Sequence, residues 1–268
     1  MARSVTIARN AVGATSLALI LMSASPVIGA DLLRGGFYED APPPLATVRW
    51  DGPYIGGFGG YGDARINFSN FFGSAVENAF RAPAVLNETD IASWLRPSGD
   101  SDGRAIYGGF AGYNFQADEV VFGFEVDYTR GELRGTAFDQ VGRVVVPSTG
   151  PDAILLTGNG TATLEDWMTF RGRAGFTSGI FMPYLTAGVA LGRFNVATRL
   201  DIIDNAGPDS FEMERERWEP GFVAGAGVDV ALGPSFFLRG EYQYITFQRA
   251  SGARFDVNLI KGAAGLRF

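Results

Sequence analysis

The stretch VVFGFEVDYTR at residues 120–130 decides the fold of this chain. Its even positions from Val120 to Tyr128 carry only apolar or aromatic side chains, whereas the odd positions include Glu125 and Asp127. Only a β-strand separates two sets of side chains in this way, because successive side chains of a strand point to opposite faces. The stretch is therefore predicted to be a strand with one apolar face and one charged face.

The same alternation of apolar and polar residues recurs along the chain from Trp50 onward. Eight blocks carry it, at residues 50–68, 105–115, 120–130, 164–176, 183–195, 218–230, 236–247 and 255–268. The connections between them are about 36, 4, 33, 6, 22, 5 and 7 residues long, close to the short turns and long outer loops of outer-membrane barrels. We therefore expect an all-β fold, an eight-stranded antiparallel up-and-down transmembrane β-barrel.

A soluble lipocalin-like barrel has the same number of strands and is the main alternative. It would place its apolar faces inside and its charges outside, and periodicity alone does not distinguish the two. The membrane barrel is favoured because the chain ends in Phe268 on an apolar face and because the polar faces are strongly charged. Aromatic residues also cluster at block ends, as interfacial girdles require: Tyr54, Tyr107, Tyr113, Trp167, Tyr184, Trp218, Tyr242 and Tyr244.

The amino-terminal segment has the features of a secretory signal. Arg3 and Arg9 precede an apolar run, and small residues follow it around Gly29. Residues 1–29 are therefore predicted to be a signal peptide, cleaved before Ala30. A membrane-anchoring helix is the alternative, although the apolar run is short for a spanning helix.

The next segment, residues 30–49, contains Pro42, Pro43 and Pro44 and shows no periodicity. It is predicted to be a periplasmic proline-rich linker, partly in the polyproline II conformation, ahead of a barrel domain at residues 50–268. In that extended form it would span roughly 60 Å at about 3.1 Å per residue.

Composition argues against several classes of function. The 268 residues include no cysteine and no histidine, and the formal net charge is −7. These absences exclude a disulfide framework, a thiolate or histidine metal site and a Ser-His-Asp triad. The acidic balance argues against nucleic acid as a partner. We expect no enzyme activity and no catalytic, cofactor-binding or metal-binding residues.

Two motifs resemble binding sites, but we prefer a purely structural interpretation of each. Residues 57–62, GFGGYG, match a dinucleotide-binding pattern that requires a following helix, but residues 63–68 continue the strand alternation. The segment 100–103, DSDG, is like the start of a calcium loop but lacks the later bidentate carboxylate. It is predicted to be a solvated outer loop, as are Asp201, Asp204 and Asp209.

Charged side chains share the polar faces of several predicted strands. They are Glu125, Asp127, Arg171, Arg173, Arg239, Glu241 and Lys261. Buried charges must be paired, and the interior of an eight-stranded barrel is just filled by side chains. These residues are predicted to form a packed ion-pair plug in the lumen. A narrow ion path is the alternative.

Several segments, taken in order, resemble a known family. They are WDGPYIGG at 50–57, GGFAGYNFQ at 108–116, RGRAG at 171–175, EYQY at 241–244 and GLRF at 265–268, with the Ala-Asp start at position 30. The chain resembles the small outer-membrane β-barrel proteins of alphaproteobacteria, the porin-like or outer-membrane immunogenic group related to the OmpA transmembrane domain.

The resemblance implies a place in the cell outer membrane and a set of partners. These are outer-membrane lipids and lipopolysaccharide, the barrel-assembly machinery through an assembly signal at Leu266 and Phe268, and peptidoglycan through Ala30. It also implies a non-enzymatic envelope-structural or surface-interaction role through the long outer loops. The alternative function is a small porin-like channel for ions or small solutes.

Overall fold

The computed structural model of the chain describes residues 48–68, 71–79, 83–101, 103–148, 150–250 and 253–268. The predicted signal peptide, and the predicted linker up to residue 47, lie outside the described residues.

Nine strands occur in the described residues: β1 Gly52–Asn67, β2 Ser98–Ser101, β3 Arg104–Ala117, β4 Val120–Val145, β5 Asp152–Phe176, β6 Phe181–Asp204, β7 Gly207–Ala231, β8 Phe236–Ala250 and β9 Ala253–Arg267. Two short helices, α1 Gly73–Ala79 and α2 Pro83–Glu88, and a 3-10 turn at Ile91–Ser93 lie between β1 and β2. None of the helices in this described part is long and apolar enough to cross a membrane.

Eight of these strands close into a ring. From β3 to β9, each strand pairs antiparallel with the strand that follows it in the chain. β1 lies between β3 and β9 and pairs with both, which closes the ring. The four-residue β2 lies outside the ring and pairs only with β4, from Ser98 opposite Phe138 to Ser101 opposite Gly135. The predicted eight-stranded up-and-down barrel is confirmed.

The faces of the strands have the polarity of a membrane barrel. The apolar set of β4, from Val120 to Tyr128, points outward, while Glu125 and Asp127 are buried inside. On β6 Leu185 is 67% exposed, and on β9 Ile260 is 69% exposed next to the buried Lys261. A soluble barrel would have the opposite arrangement, since water would meet this apolar surface.

The two ends of the ring differ. The termini at Trp50 and Phe268 lie at one end with the short β3–β4, β5–β6 and β7–β8 turns, and we call this the inner end. The β3–β4 turn is so tight that Asp118 adopts a φ of 52°, a conformation that aspartate tolerates. Short turns face the periplasm in such barrels, so the opposite, outer end faces the cell exterior.

Four neighbouring strands are much longer than the others. β4 to β7 have 26, 25, 24 and 25 residues, whereas β1, β3, β8 and β9 have 16, 14, 15 and 15. About 10 extra residues per strand extend the sheet roughly 30 Å along the strand direction beyond the membrane. We call this extension, residues 131–164 and 194–217 with β2, the protruding sheet.

The protruding sheet corrects the prediction of two long outer loops. The β4–β5 connection is confined to residues 146–151, and the β6–β7 turn consists of Asn205 and Ala206. The supposed loops are hairpins because their residues continue the alternation, with Ile154, Leu156 and Leu200 buried on one face. The β1–β3 connection remains long, and its helices pack against that face.

The predicted aromatic girdle is partly wrong. Tyr107, Trp218 and Tyr242 are exposed on the outward faces, but Tyr54 and Tyr184 point into the barrel and are buried. Trp167 is also fully buried inside. The two tyrosines turn inward because their hydroxyl groups find carboxylate partners there, which a lipid-facing position does not offer.

The final strand ends on the outer surface of the barrel. Leu266 points outward opposite Ile55 and Phe236 in the neighbouring strands. The Phe268 backbone N–H donates to the Pro53 carbonyl at 3.1 Å, and its ring is 76% exposed. Both predicted assembly-signal residues therefore face outward at the inner end.

Candidate functional site

The interior of the barrel is filled in three layers, and the charged residues occupy the middle one. An aromatic cluster lies at the inner end and a large apolar core at the outer end. Between them lies what we call the charged layer: Glu125, Asp127, Arg171, Arg173, Asp229, Arg239, Glu241 and Lys261.

Arg171 on β5 is at the centre of the charged layer. Its Nη1 lies 2.6 Å from Glu241 Oε1, and its Nη2 lies 2.9 Å from Asp127 Oδ2. Nη2 also contacts Glu125, which lies directly opposite Arg171 in the β4–β5 register. One guanidinium therefore joins carboxylates from β4 and β8, which lie on different sides of the ring.

A second group of contacts centres on Asp229 of β7. Its two carboxylate oxygens accept hydrogen bonds from Arg239 Nε at 2.7 Å and from Arg173 Nη2 at 2.8 Å. Arg239 Nη1 also donates to Glu125 Oε2 at 2.6 Å, which connects this group to Arg171. The charged layer is thus one continuous network with four carboxylates and four basic groups, and its formal charge is zero.

Hydroxyl groups donate further hydrogen bonds to the carboxylates of the charged layer. Tyr54 donates to Glu125 Oε2 at 2.9 Å, and Tyr184 donates to Glu241 Oε2 at 2.5 Å. Thr169 donates to Asp127 Oδ2 at 2.6 Å. Lys261 is held more loosely, since its Nζ lies 3.6 Å from Asp127 Oδ1 and 4.2 Å from the centre of the Phe58 ring.

Two glycines make space for the tyrosine rings. A Cβ atom on Gly112 would lie 2.5 Å from Tyr54 Cζ, and a Cβ atom on Gly227 would lie 2.5 Å from Tyr184 Oη. Only a residue without a side chain fits at these inward positions.

Little space remains within the charged layer. The cavity bounded by Glu125, Arg171, Arg239 and their neighbours has a volume of about 10 Å³. A cavity of this size holds at most one water molecule. In the part of the chain that the structure describes, no group of three or more acidic residues is placed to hold a metal ion.

Aromatic rings close the inner end. The Phe237 ring lies 6.0 Å from Trp50 and 6.1 Å from Tyr54, measured between ring centres. Arg267 stacks over Trp50 at 4.3 Å and donates to the Arg49 carbonyl at 2.6 Å. The start and the end of the barrel domain are joined at this seal.

The apolar core closes the outer half of the lumen. Phe194 on β6 lies 5.0 Å from Phe247 on β8 and 4.7 Å from Phe255 on β9, between ring centres. These contacts cross the interior, because β6 and β9 are not neighbours in the ring. Above them, the segment between β1 and β2 inserts buried side chains against the protruding sheet: Phe68, Phe71, Phe72, Val76, Val85, Ile91, Trp94 and Leu95.

All seven charged residues predicted for the lumen lie in the charged layer. Sequence reasoning missed Asp229, although the predicted set of three acids and four bases was short of one acid. Asp229 is the one ionisable side chain between Pro220 and Ala231, on the same face as the buried Val223. The excess of one base in the predicted set, together with the position of Asp229 on the inward face of its strand, would have identified this residue.

The motifs that were interpreted as purely structural lie in strands and in a turn. Residues 57–62 lie within β1 and no helix follows them directly, so the dinucleotide-binding geometry is not formed. Asp201 pairs with Arg199 on β6, Asp204 accepts the Ala206 N–H in the β6–β7 turn, and Asp209 accepts the Ser210 N–H. Asp100 lies in β2, and position 102 is outside the described residues.

Comparisons with known proteins find similar outer-membrane proteins. The chain is 27% identical over 229 residues to the 31 kDa outer-membrane immunogenic protein of Brucella melitensis, covering 83% of this chain and 82% of that one. It is 24% identical over 262 residues to the 25 kDa outer-membrane immunogenic protein of Brucella ovis, covering 95% and 99%. The crystal structure of the outer membrane protein OprG from Pseudomonas aeruginosa aligns with 81% of this chain and 96% of its own, at a TM-score of 0.42 and 13% identity.

The family assignment rests on the sequence match, which spans residues 41–268. That range includes every strand of the ring. The protein is an outer-membrane protein of the cell envelope, and it belongs to the family described as the outer membrane protein beta-barrel domain.

Proposed function

We propose that the protein is a non-enzymatic surface protein whose barrel is a closed anchor and whose protruding sheet makes contacts outside the cell. The observation that carries this proposal is the filled interior. The alternative is a small porin-like channel, and it requires a continuous aqueous path.

The charged layer opposes such a path. Its carboxylates are each bound by guanidinium or hydroxyl donors, and the remaining cavity of about 10 Å³ is far below the volume of a hydrated ion's path. An ion would have to displace Arg171 from three carboxylates at once. The same pairing leaves none of the four carboxylates of the charged layer free to act as an acid or base, which supports a non-enzymatic role.

The apolar core is a second barrier in series with the first. The rings of Phe194, Phe247 and Phe255 are completely buried, as is Trp167. Moving an ion through such a region costs several kcal/mol or more, since no polar group replaces its hydration shell.

The protruding sheet is built as a rigid display surface. Its inner face is covered by the segment between β1 and β2, which buries Phe72, Ile91 and Leu95 against it. At the tip, Ser148 donates through its backbone N–H and its hydroxyl to Glu88 of α2, at 2.8 and 2.6 Å. Preorganised surfaces lose less conformational entropy on binding than mobile loops do.

Single-channel recording in planar bilayers tests the proposal. We expect the purified full-length protein to insert without producing regular conductance steps. Heat-shifted mobility on a gel, which closed barrels show because they resist detergent until heated, verifies that the inserted protein is folded. Regular, long-lived conductance steps from that folded material would refute the closed barrel and favour the channel.

A further inference from the structure

The outer part of β7 is a sheet edge without a second partner. Residues 208–221 pair with β6, from Pro208 opposite Ile203 to Gly221 opposite Ala190. On its other side, pairing with β8 begins only at Phe222, opposite Thr246. Within the described residues, no second strand pairs with β7 from Ser210 to Gly221, and the protruding sheet therefore ends at this long edge.

The outward face of this edge carries a row of acids. Glu212, Glu214 and Glu216 occupy alternate positions, and the side chains of Glu212 and Glu216 are 68% and 57% exposed. The nearby arginines of β6 neutralise the row only in part. Arg199 pairs with Glu212 at 2.7 Å and Arg193 pairs with Glu216 at 3.5 Å, but both arginines are shared with other carboxylates. Arg199 also pairs with Asp201, and Arg193 also pairs with Glu165 and contacts Asp166.

The inward face of the same edge is different in character. Phe211 is half-buried and packs against the apolar core, and Met213 is half-buried next to it in the same row. Arg215 and Arg217 continue that row toward the membrane and are exposed. Pairing with β8 from Phe222 onward sets the lower limit of any new ladder.

We propose that the edge of β7 between Ser210 and Glu219 binds an extended peptide segment of a partner protein as an added strand, with basic side chains at alternate positions. This inference rests on the proposed surface-contact function and names its partner class. Main-chain hydrogen bonds provide the affinity in such complexes, and alternate side chains provide the specificity. The acidic row attracts lysine or arginine directly across the ladder and repels acidic side chains at the same positions.

A second copy of this chain does not fit the edge. Two barrels in one membrane are related by an axis along the membrane normal, so their β7 strands run in the same sense and cross at roughly 70–90°, twice the strand tilt. An antiparallel ladder is impossible in that arrangement. The rows of Glu212, Glu214 and Glu216 would also meet each other as like charges.

The test uses synthetic peptides and the full-length protein in neutral detergent. The first peptide alternates lysine with valine and carries a fluorescent label, and its binding is followed by anisotropy at low and at physiological salt. The second has the same sequence with alternate backbone nitrogens methylated, which blocks a ladder but keeps the charges. The third replaces lysine with glutamate.

We expect only the first peptide to bind wild-type protein, with an affinity that falls as salt rises. The triple variant E212K/E214K/E216K should weaken that binding at least about 10-fold, or ~1.4 kcal/mol, and should bind the glutamate peptide instead. The matched control D63K/E119K/E132K has the same net charge, lies on strands and a turn that do not contact the outer part of β7, and should bind like wild type.

A measurement on unaltered protein makes the test independent of the variants. Amide hydrogen exchange in residues 210–219 should slow when the lysine peptide is present, and exchange in β1 should not change. Equal binding of the methylated peptide, no binding of the lysine peptide, or no protection in 210–219 would each overturn the inference. An open channel in bilayer recordings would refute the closed anchor without changing any of these results.

Discussion

Replacing Arg171 by alanine tests the charged layer most directly. The change leaves four carboxylates facing three basic groups, and it removes contacts of 2.6 Å to Glu241 and 2.9 Å to Asp127. Removing one partner of a buried ion pair typically costs ~3–5 kcal/mol, because the remaining charge is buried without compensation. We expect the free energy of unfolding to fall by that amount.

Urea unfolding of the refolded protein in detergent, followed by tryptophan fluorescence, measures the effect. The matched control is Arg134→Ala, which removes an exposed arginine from the outward face of β4 and should change stability by no more than about 0.5 kcal/mol. A decrease for Arg171→Ala no larger than that of the control would refute our account of the layer.

A double variant separates charge balance from packing. Glu241→Gln removes one carboxylate charge, so adding it to Arg171→Ala restores three acids against three bases. We expect the double variant to lose about 1–3 kcal/mol less unfolding free energy than the two single variants lose together. Strict additivity would mean that charge compensation does not explain the cost of losing Arg171. Neither variant should conduct ions, because the apolar core above the charged layer stays closed.

Three further predictions concern other parts of the molecule. Gly227→Ala places a Cβ 2.5 Å from a tyrosine hydroxyl inside the barrel and should cost about 1–3 kcal/mol in urea unfolding; Gly59→Ala, where nothing lies within 4 Å, should be neutral. Hydrogen bonds from Ser148 lower the pKa of Glu88. The contact between the two residues is therefore fully formed at a pH above the ordinary pKa of a carboxyl group, and it is lost as the pH falls through the lowered pKa. An NMR titration should show that pKa rising in Ser148→Ala, and an unchanged value would contradict the assignment. Deleting Phe268 should lower the amount of heat-modifiable protein in outer membranes, and normal levels would argue against a role in assembly.

The fold was largely predictable because alternation is a local property. On β4 the apolar positions from Val120 to Tyr128 and the acids at 125 and 127 specify both the strand and its orientation once a membrane is assumed. The lengths of β4 to β7 were not predicted. A membrane-spanning strand needs only about 9–11 residues, and nothing in that requirement indicates that the alternation continues beyond the membrane.

The charged layer was predictable in part for the same reason. Strand parity alone selects Arg171, Arg173, Arg239 and Glu241, but it does not show which carboxylate each guanidinium reaches across the ring. Tyr54 shows the limit most clearly. An aromatic residue near a strand end fits both the lipid interface and the lumen, and only its contact with Glu125 distinguishes them.

The continuity of the ladders from the membrane into the protruding sheet restricts how this surface can vary over evolutionary time. A single inserted residue within 131–145 or 207–217 would turn every following side chain to the other face, exposing the apolar row that includes Leu133 and Phe211. Tolerated length changes should therefore come as matched pairs at the hairpin tips. Substitutions on the outward face, by contrast, are free of this restriction, so the chemistry of this surface can vary while its architecture does not.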